Sequence, residues 1–137
     1  MATLVLFDAL RTDLWNAEHD VGTQVFKAAF YTSAATFAAG DAAPAYAAGN
    51  ETTGGQVPAG GVTLDNFTAT NVNVDFDDEV ISADGANPTN IRFMLIYNDS
   101  NATKKAIGFV DFTSDQDITV GATVSPAAAG ALTMSVV

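Results

Sequence analysis

His19 is the only histidine in the chain. A nucleophilic triad sets a histidine between a serine and a carboxylate, and His19, Ser33 and an aspartate meet that requirement by residue type alone. No Gly-x-Ser-x-Gly elbow presents a serine. His19 adjoins Asp20 at the expected end of a helix, so a capping or surface role is its default assignment. The run Asp75, Asp77, Asp78, Glu79 offers oxygens to calcium, which takes about six to eight of them. Neither this run nor the group Asp111, Asp115, Asp117 holds the spacing of a calcium loop. Paired carboxylates could serve glycoside hydrolysis. With 13 aspartates such pairs arise by coincidence, and Trp15 is the sole tryptophan available to line a sugar site. No phosphate-cradling or dinucleotide glycine motif occurs. Cysteine is absent, which excludes disulfides, thiolate zinc sites and a cysteine nucleophile. The expectation is a chain without enzymatic activity, cofactor or metal.

At 137 residues the chain has the size of one domain, taken as 1–137 with residues 1–22 as an N-terminal helical arm. Area scaling gives roughly 6,700 Å² exposed when folded, against roughly 20,000 Å² for the open chain. Sixteen acidic residues against 5 basic ones leave a net charge of −11. Arg11, Lys27, Arg92, Lys104 and Lys105 are scattered, so neither nucleic acid nor an anionic membrane is an expected partner. Charged residues make up only 15%, whereas 25 alanines, 16 threonines and 9 asparagines give a surface polar by hydroxyl and amide. Such surfaces pack on neighbours. The start, Met1 to Asp8, lacks the basic region of an export signal. The sequons at Asn50, Asn66, Asn98 and Asn101 are then expected to reflect composition, not glycosylation.

The elements that would carry these residues are mostly strands. Residues 3–18 are expected to form a short helix, with Phe7, Leu10 and Leu14 on one face and Thr3 or Asp8 as cap. Residues 24–32 alternate as a strand. Residues 33–61 lose periodicity, and 29 residues rich in Ala and Gly are long for a connection. Residues 62–77 return to strand, with Val72, Val74 and Phe76 turned inward. Residues 91–97, apolar on both faces except Arg92, read as a central covered strand that pairs with 105–112. Strands at 117–124 and 131–137 follow. The fold class is mainly β: an antiparallel sandwich, Ig-like or jelly-roll-like, with a core of Val72, Val74, Phe76, Phe93, Leu95, Ile107 and Phe109.

The helical segment Phe7–Trp15, the Gly-rich loop with Tyr46, Glu51 and Gly60-Gly61, and the segments Val74–Asp78, Arg92–Asn98, Ile107–Phe112, Ile118–Val124 and Ala128–Met134 come in an order that resembles the small virion proteins of tailed bacteriophages. Where those proteins carry Glu-x-x-Gly-x-Gly-Tyr, this chain has Glu51-Thr-Thr-Gly-Gly-Gln-Val57, without the tyrosine. The resemblance implies a capsid decoration or cement protein that bridges capsid subunits in the virion, assembled in the host cytoplasm. Its partners would be the major capsid protein and sister copies in a dimer or trimer. The alternative is a tail or fibre component that binds a host glycan. Phe7, Leu10, Trp15, Tyr46 and Val57 are the expected assembly contacts. Ordering a long loop opposes folding by about 1–2 kcal/mol per residue, so residues 33–61 and the helix are expected to order only against a partner.

Overall fold

The alternation of apolar residues in 91–97 and 26–31 puts large side chains on both faces of the same strands, so the sheet they form must be covered twice. A computed structural model describes residues 2–70, 73–127 and 131–136 and meets that requirement. The chain runs β1 (Leu4–Leu6), α1 (Ala9–Trp15), β2 (Phe26–Tyr31), β3 (Val62–Thr63), β4 (Thr68–Thr70), β5 (Asn73–Asp75), β6 (Glu79–Ile81), β7 (Ile91–Asn98), β8 (Ala106–Gln116), β9 (Ala122–Ala127) and β10 (Ala131–Val136). A five-stranded sheet has the order β1-β8-β7-β2-β3, a three-stranded sheet the order β10-β9-β6, and β4 pairs β5 alone. Every pairing is antiparallel. The fold is an antiparallel β-sandwich with one short helix. Its accessible surface, 6674 Å², agrees with the scaling expectation for this mass.

Between the sheets lies the main core. Phe26, Ala28 and Phe30 of β2, Ile91, Met94 and Ile96 of β7, and Ile81, Ala122 and Val124 of the smaller sheet meet there with Phe67, Val74 and Phe76. The opposite face of the large sheet carries a second layer: Ala29, Tyr31, Leu95, Tyr97 and Phe109, joined by Phe7, Ala35, Phe37, Tyr46 and Phe93. The expected single core is therefore split. Val74, Phe76 and Ile107 belong to the first layer, Leu95, Phe109 and the half-buried Phe93 to the second. A register shift between Ile96 and Tyr97 puts Ile107 and Phe109 on opposite faces. Val72 and the segment 128–130 lie outside the described residues.

The long loop covers the second face, contrary to the expectation that it finds cover only on a partner. Phe37 lies 5.2 Å from Tyr31, 5.6 Å from Phe93 and 5.7 Å from Phe109, ring centre to ring centre. Ala45 bridges Lys105, and the Tyr46 N–H donates to the Lys104 carbonyl at 2.9 Å. Thr52 N–H reaches the Phe30 carbonyl at 2.8 Å, so the returning limb follows the end of β2. Gly61 lets the loop close: φ is +80°, and a Cβ there would stand 1.9 Å from the Ala28 carbonyl oxygen.

The first residues also depart from expectation. Leu4–Leu6 is an edge strand on β8, not the start of a helix, so this part of 1–22 is no detached arm. The apolar alternation Leu4, Leu6 and the close approach at Gly108, whose Cβ would lie 2.7 Å from the Val5 carbonyl oxygen, admit β1 here. Asp8 occupies the N-cap position of α1 without a capping side-chain bond. The reading of 62–77 as one strand resolves into the short strands β3, β4 and β5, and β6 follows in a segment for which no strand was expected.

Candidate functional site

Helix α1 is anchored by charges far away in sequence. Lys105, which immediately precedes β8, donates from Nζ to Asp13 Oδ1 at 2.6 Å and lies 3.5 Å from Glu18 Oε1. Asp13 is a buried residue. The hydrogen bond to Asp13 raises the Lys105 pKa above its usual value. Asn98, fully buried at the end of β7, donates from Nδ2 toward the Glu18 carbonyl and Gln24 Oε1, at 3.2 and 2.6 Å. The same amide nitrogen is 3.2 Å from His19 Nδ1. Asn101 adds bonds to the Glu18 carbonyl and carboxylate, at 3.3 and 2.9 Å. The β7–β8 turn thus clamps the polar side of α1 and the turn after it, while Leu10 packs against the main core and Leu14 and Trp15 stay exposed.

That end of the helix carries the most exposed large apolar residue among the described residues, Trp15, and next to it Leu14. Trp15 is 85% exposed and Leu14 57%. Beside them a cleft of about 70 Å³ opens between α1 and the β4–β5 hairpin, lined by Leu6, Leu10, Leu14, Val21, Phe67 and Val74 among others. For comparison, a dry cavity of roughly 150 Å³ holds benzene, so this cleft has room for a short aliphatic side chain and not for a ring. A projecting indole next to an apolar recess has the chemistry that interaction surfaces use.

The five expected contacts separate on this geometry. Leu10 lines the cleft and Trp15 projects beside it. Phe7, 2% exposed, packs its ring 5.3 Å from Phe109 and is core. Val57, 2% exposed, also belongs to the main core. Both are unavailable to a partner. They were expected outside because the loop and the helix were expected to be extensions, whereas each has its own sheet to lie on. Tyr46 is half-buried: its ring stacks on Tyr97, and its hydroxyl donates to Glu51 Oε2 at 2.8 Å. Leu14, named only as part of the helical stripe, joins the site. Its exposure follows from the clamp at Asp13, whose partner Lys105 is 92 positions away and leaves no local signal.

The chemical candidates are absorbed by structure. His19 faces Asn98 and, at 4.0 Å, Asp13 Oδ2, and no serine hydroxyl is among its partners. Its Nε2 is buried with no hydrogen-bond partner among the described residues. Burial is the largest influence on His19 and lowers its pKa, with Asp13 opposing. Asp77 accepts from Asn66 Nδ2 at 2.7 Å and Glu79 from the Asp65 N–H at 2.8 Å. Asp111 accepts from Arg92 Nε at 2.6 Å and from the Thr113 N–H at 2.7 Å. Both pairings lower its pKa, Arg92 foremost. Among the described residues no three His, Asp or Glu gather as a metal set.

No family model, curated protein or solved structure matches this chain. No helix among the described residues is long and apolar enough to cross a membrane.

Proposed function

We propose that the protein is a structural component of a tailed-phage virion, a decoration or cement protein that stabilises the head by bridging capsid subunits. The observation that carries this reading is the α1 face, where Trp15 and Leu14 project beside the apolar cleft. Asp77, Glu79, Asp111 and Asp117 accept hydrogen bonds that hold turns and strand ends, and His19 faces Asn98, which favours binding over catalysis. The partner is the major capsid protein, offering a short aliphatic side chain to the cleft and an apolar patch to Trp15. The net charge of −11 opposes contact between free copies wherever their carboxylates face. The test is co-sedimentation with undecorated heads: the wild-type chain should pellet at hundreds of copies per particle, and Trp15→Ala with Leu14→Ser should reduce occupancy by at least about tenfold. Failure of the wild-type chain to bind heads would overturn the reading.

A second reading, a tail or fibre component that binds a glycan, is favoured by one feature. An open groove of about 420 Å³ is lined by Thr23, Gln24, Thr63, Asp65, Asn66 and Thr68 among others, hydroxyl, amide and carboxylate groups suited to sugar. A copy number of a few to dozens per particle, with glycan binding lost in Gln24→Ala and Asn66→Ala, would support it over the first.

A further inference from the structure

The edges of the sheets differ in length and in charge. In the large sheet the edges are β1, of three residues, and β3, of two. In the smaller sheet β6 has three residues, begins at Glu79 and closes one edge, while β10 forms the other with six. Natural sheets blunt a long edge with lysine, proline, a bulge or a short strand. β10, Ala-Leu-Thr-Met-Ser-Val, has none of these, and its register with β9 is unbroken over all six residues.

Charge separates this region from the rest of the chain. All 21 Asp, Glu, Lys and Arg residues fall in positions 1–117, and none falls in the last 20. Two copies of a protein of net charge −11 repel wherever their carboxylates face. Beyond about 8 Å at physiological salt that repulsion is screened. The uncharged β9–β10 hairpin is therefore the place where like-charged copies can touch. A basic partner would find no carboxylate here to meet.

The pattern of the strand suits its own image. Met134 pairs with Val124 and Val136 with Ala122, and both partners are fully buried, so Met134 and Val136 stand on the core side at the open margin. Met134 is half-buried against the main core, and Val136 is 38% exposed. Ser135 pairs with Thr123 on the other side. A two-fold axis normal to the sheet brings a second β10 antiparallel to the first, with each core side continuous with its neighbour's.

We infer that β10 is a self-association edge: two copies pair through it into one continuous six-stranded sheet, β6-β9-β10 joined to β10-β9-β6. The inference concerns the free chain and stands whether or not the virion reading holds. Sedimentation equilibrium of the free protein should show twice the 14.1 kDa monomer mass as concentration rises into the submillimolar range. Ser135→Lys should weaken association by about tenfold or more, since the pair sets lysines on neighbouring rungs. Val80→Lys on β6 and Trp15→Ala on α1 should leave it unchanged, with circular dichroism confirming the sheet in each variant. The natural chain has no cysteine, so single substitutions Thr133→Cys, Met134→Cys and Ser135→Cys give disulfides only between chains. Yield should peak at the position nearest the axis and fall to either side. A chain that stays monomeric, a dimer that survives Ser135→Lys, or one lost in Trp15→Ala would each overturn the inference.

Discussion

The ring of Tyr46 lies on the ring of Tyr97, centroids 4.8 Å apart and planes 19° from parallel. Tyr97 is in the central strand and donates to the Gly60 carbonyl at 2.7 Å, while Tyr46 reaches Glu51, whose other oxygen accepts the Gly60 N–H at 2.8 Å. Two distant points of the long loop are thereby tied to one strand. The ordering entropy that seemed to need a partner is offset by aromatic area within the chain.

Proteolysis reads this directly. Free protein should resist cleavage between Ala34 and Gly61, and Phe37→Ala combined with Tyr46→Ala should open that segment while the sheet stays intact by circular dichroism. Rapid cutting of the free wild-type chain there would return the loop to an assembly role.

The centre and the margin of the second core layer should respond unequally to truncation. Leu95 is fully buried, so Leu95→Ala should lower stability by about 2–5 kcal/mol in denaturant titration. Phe93 is only half-buried at the margin of the second layer, and Phe93→Ala should lower it by less despite the larger side chain. Equal losses would mean that the margin of this layer is as tightly enclosed as its centre.

Gly61→Ala should destabilise by about 3 kcal/mol or more, because the left-handed backbone and the Ala28 carbonyl at 1.9 Å both oppose a Cβ. Gly85→Ala, where a Cβ meets nothing within 4 Å, is the control and should leave the denaturation midpoint near wild type.

A pH effect follows from His19. Its folded pKa lies below the ordinary 6.5 because the ring is buried. The unfolded chain then binds the extra proton first, so stability falls as pH drops through 6.5 toward the folded value. Asp99, paired with Lys104 and Lys27, and Asp111, paired with Arg92, have pKa values held below 3.8. Their stabilisation is present above that range and lost beneath it. Unfolding midpoints measured from about pH 7.5 to about 5 should therefore decline in wild type and stay level in His19→Gln. A flat wild-type profile would show the histidine accessible to solvent in the folded state.

Strand identity was legible in residues whose side chains alternate. The segment 91–97 announced a central strand covered on both sides, because only such a strand can be apolar at successive positions, and β7 is that strand. Its hairpin with 105–112 followed from the turn between them, and the sandwich class from the spacing of such segments. What periodicity could not report was where non-periodic residues go. Phe37, Tyr46 and Val57 sit in a stretch without local pattern, and their burial depends on contacts with strands far away in sequence. The same holds for the clamp of Asp13 by Lys105, which turns Leu14 and Trp15 outward while Phe7 goes in. A helical stripe specifies which residues share a face. Which part of that face meets the core is decided by long-range pairing, and here the ion pair of Lys105 with the buried Asp13 and an edge strand that ends at Leu6 set the boundary.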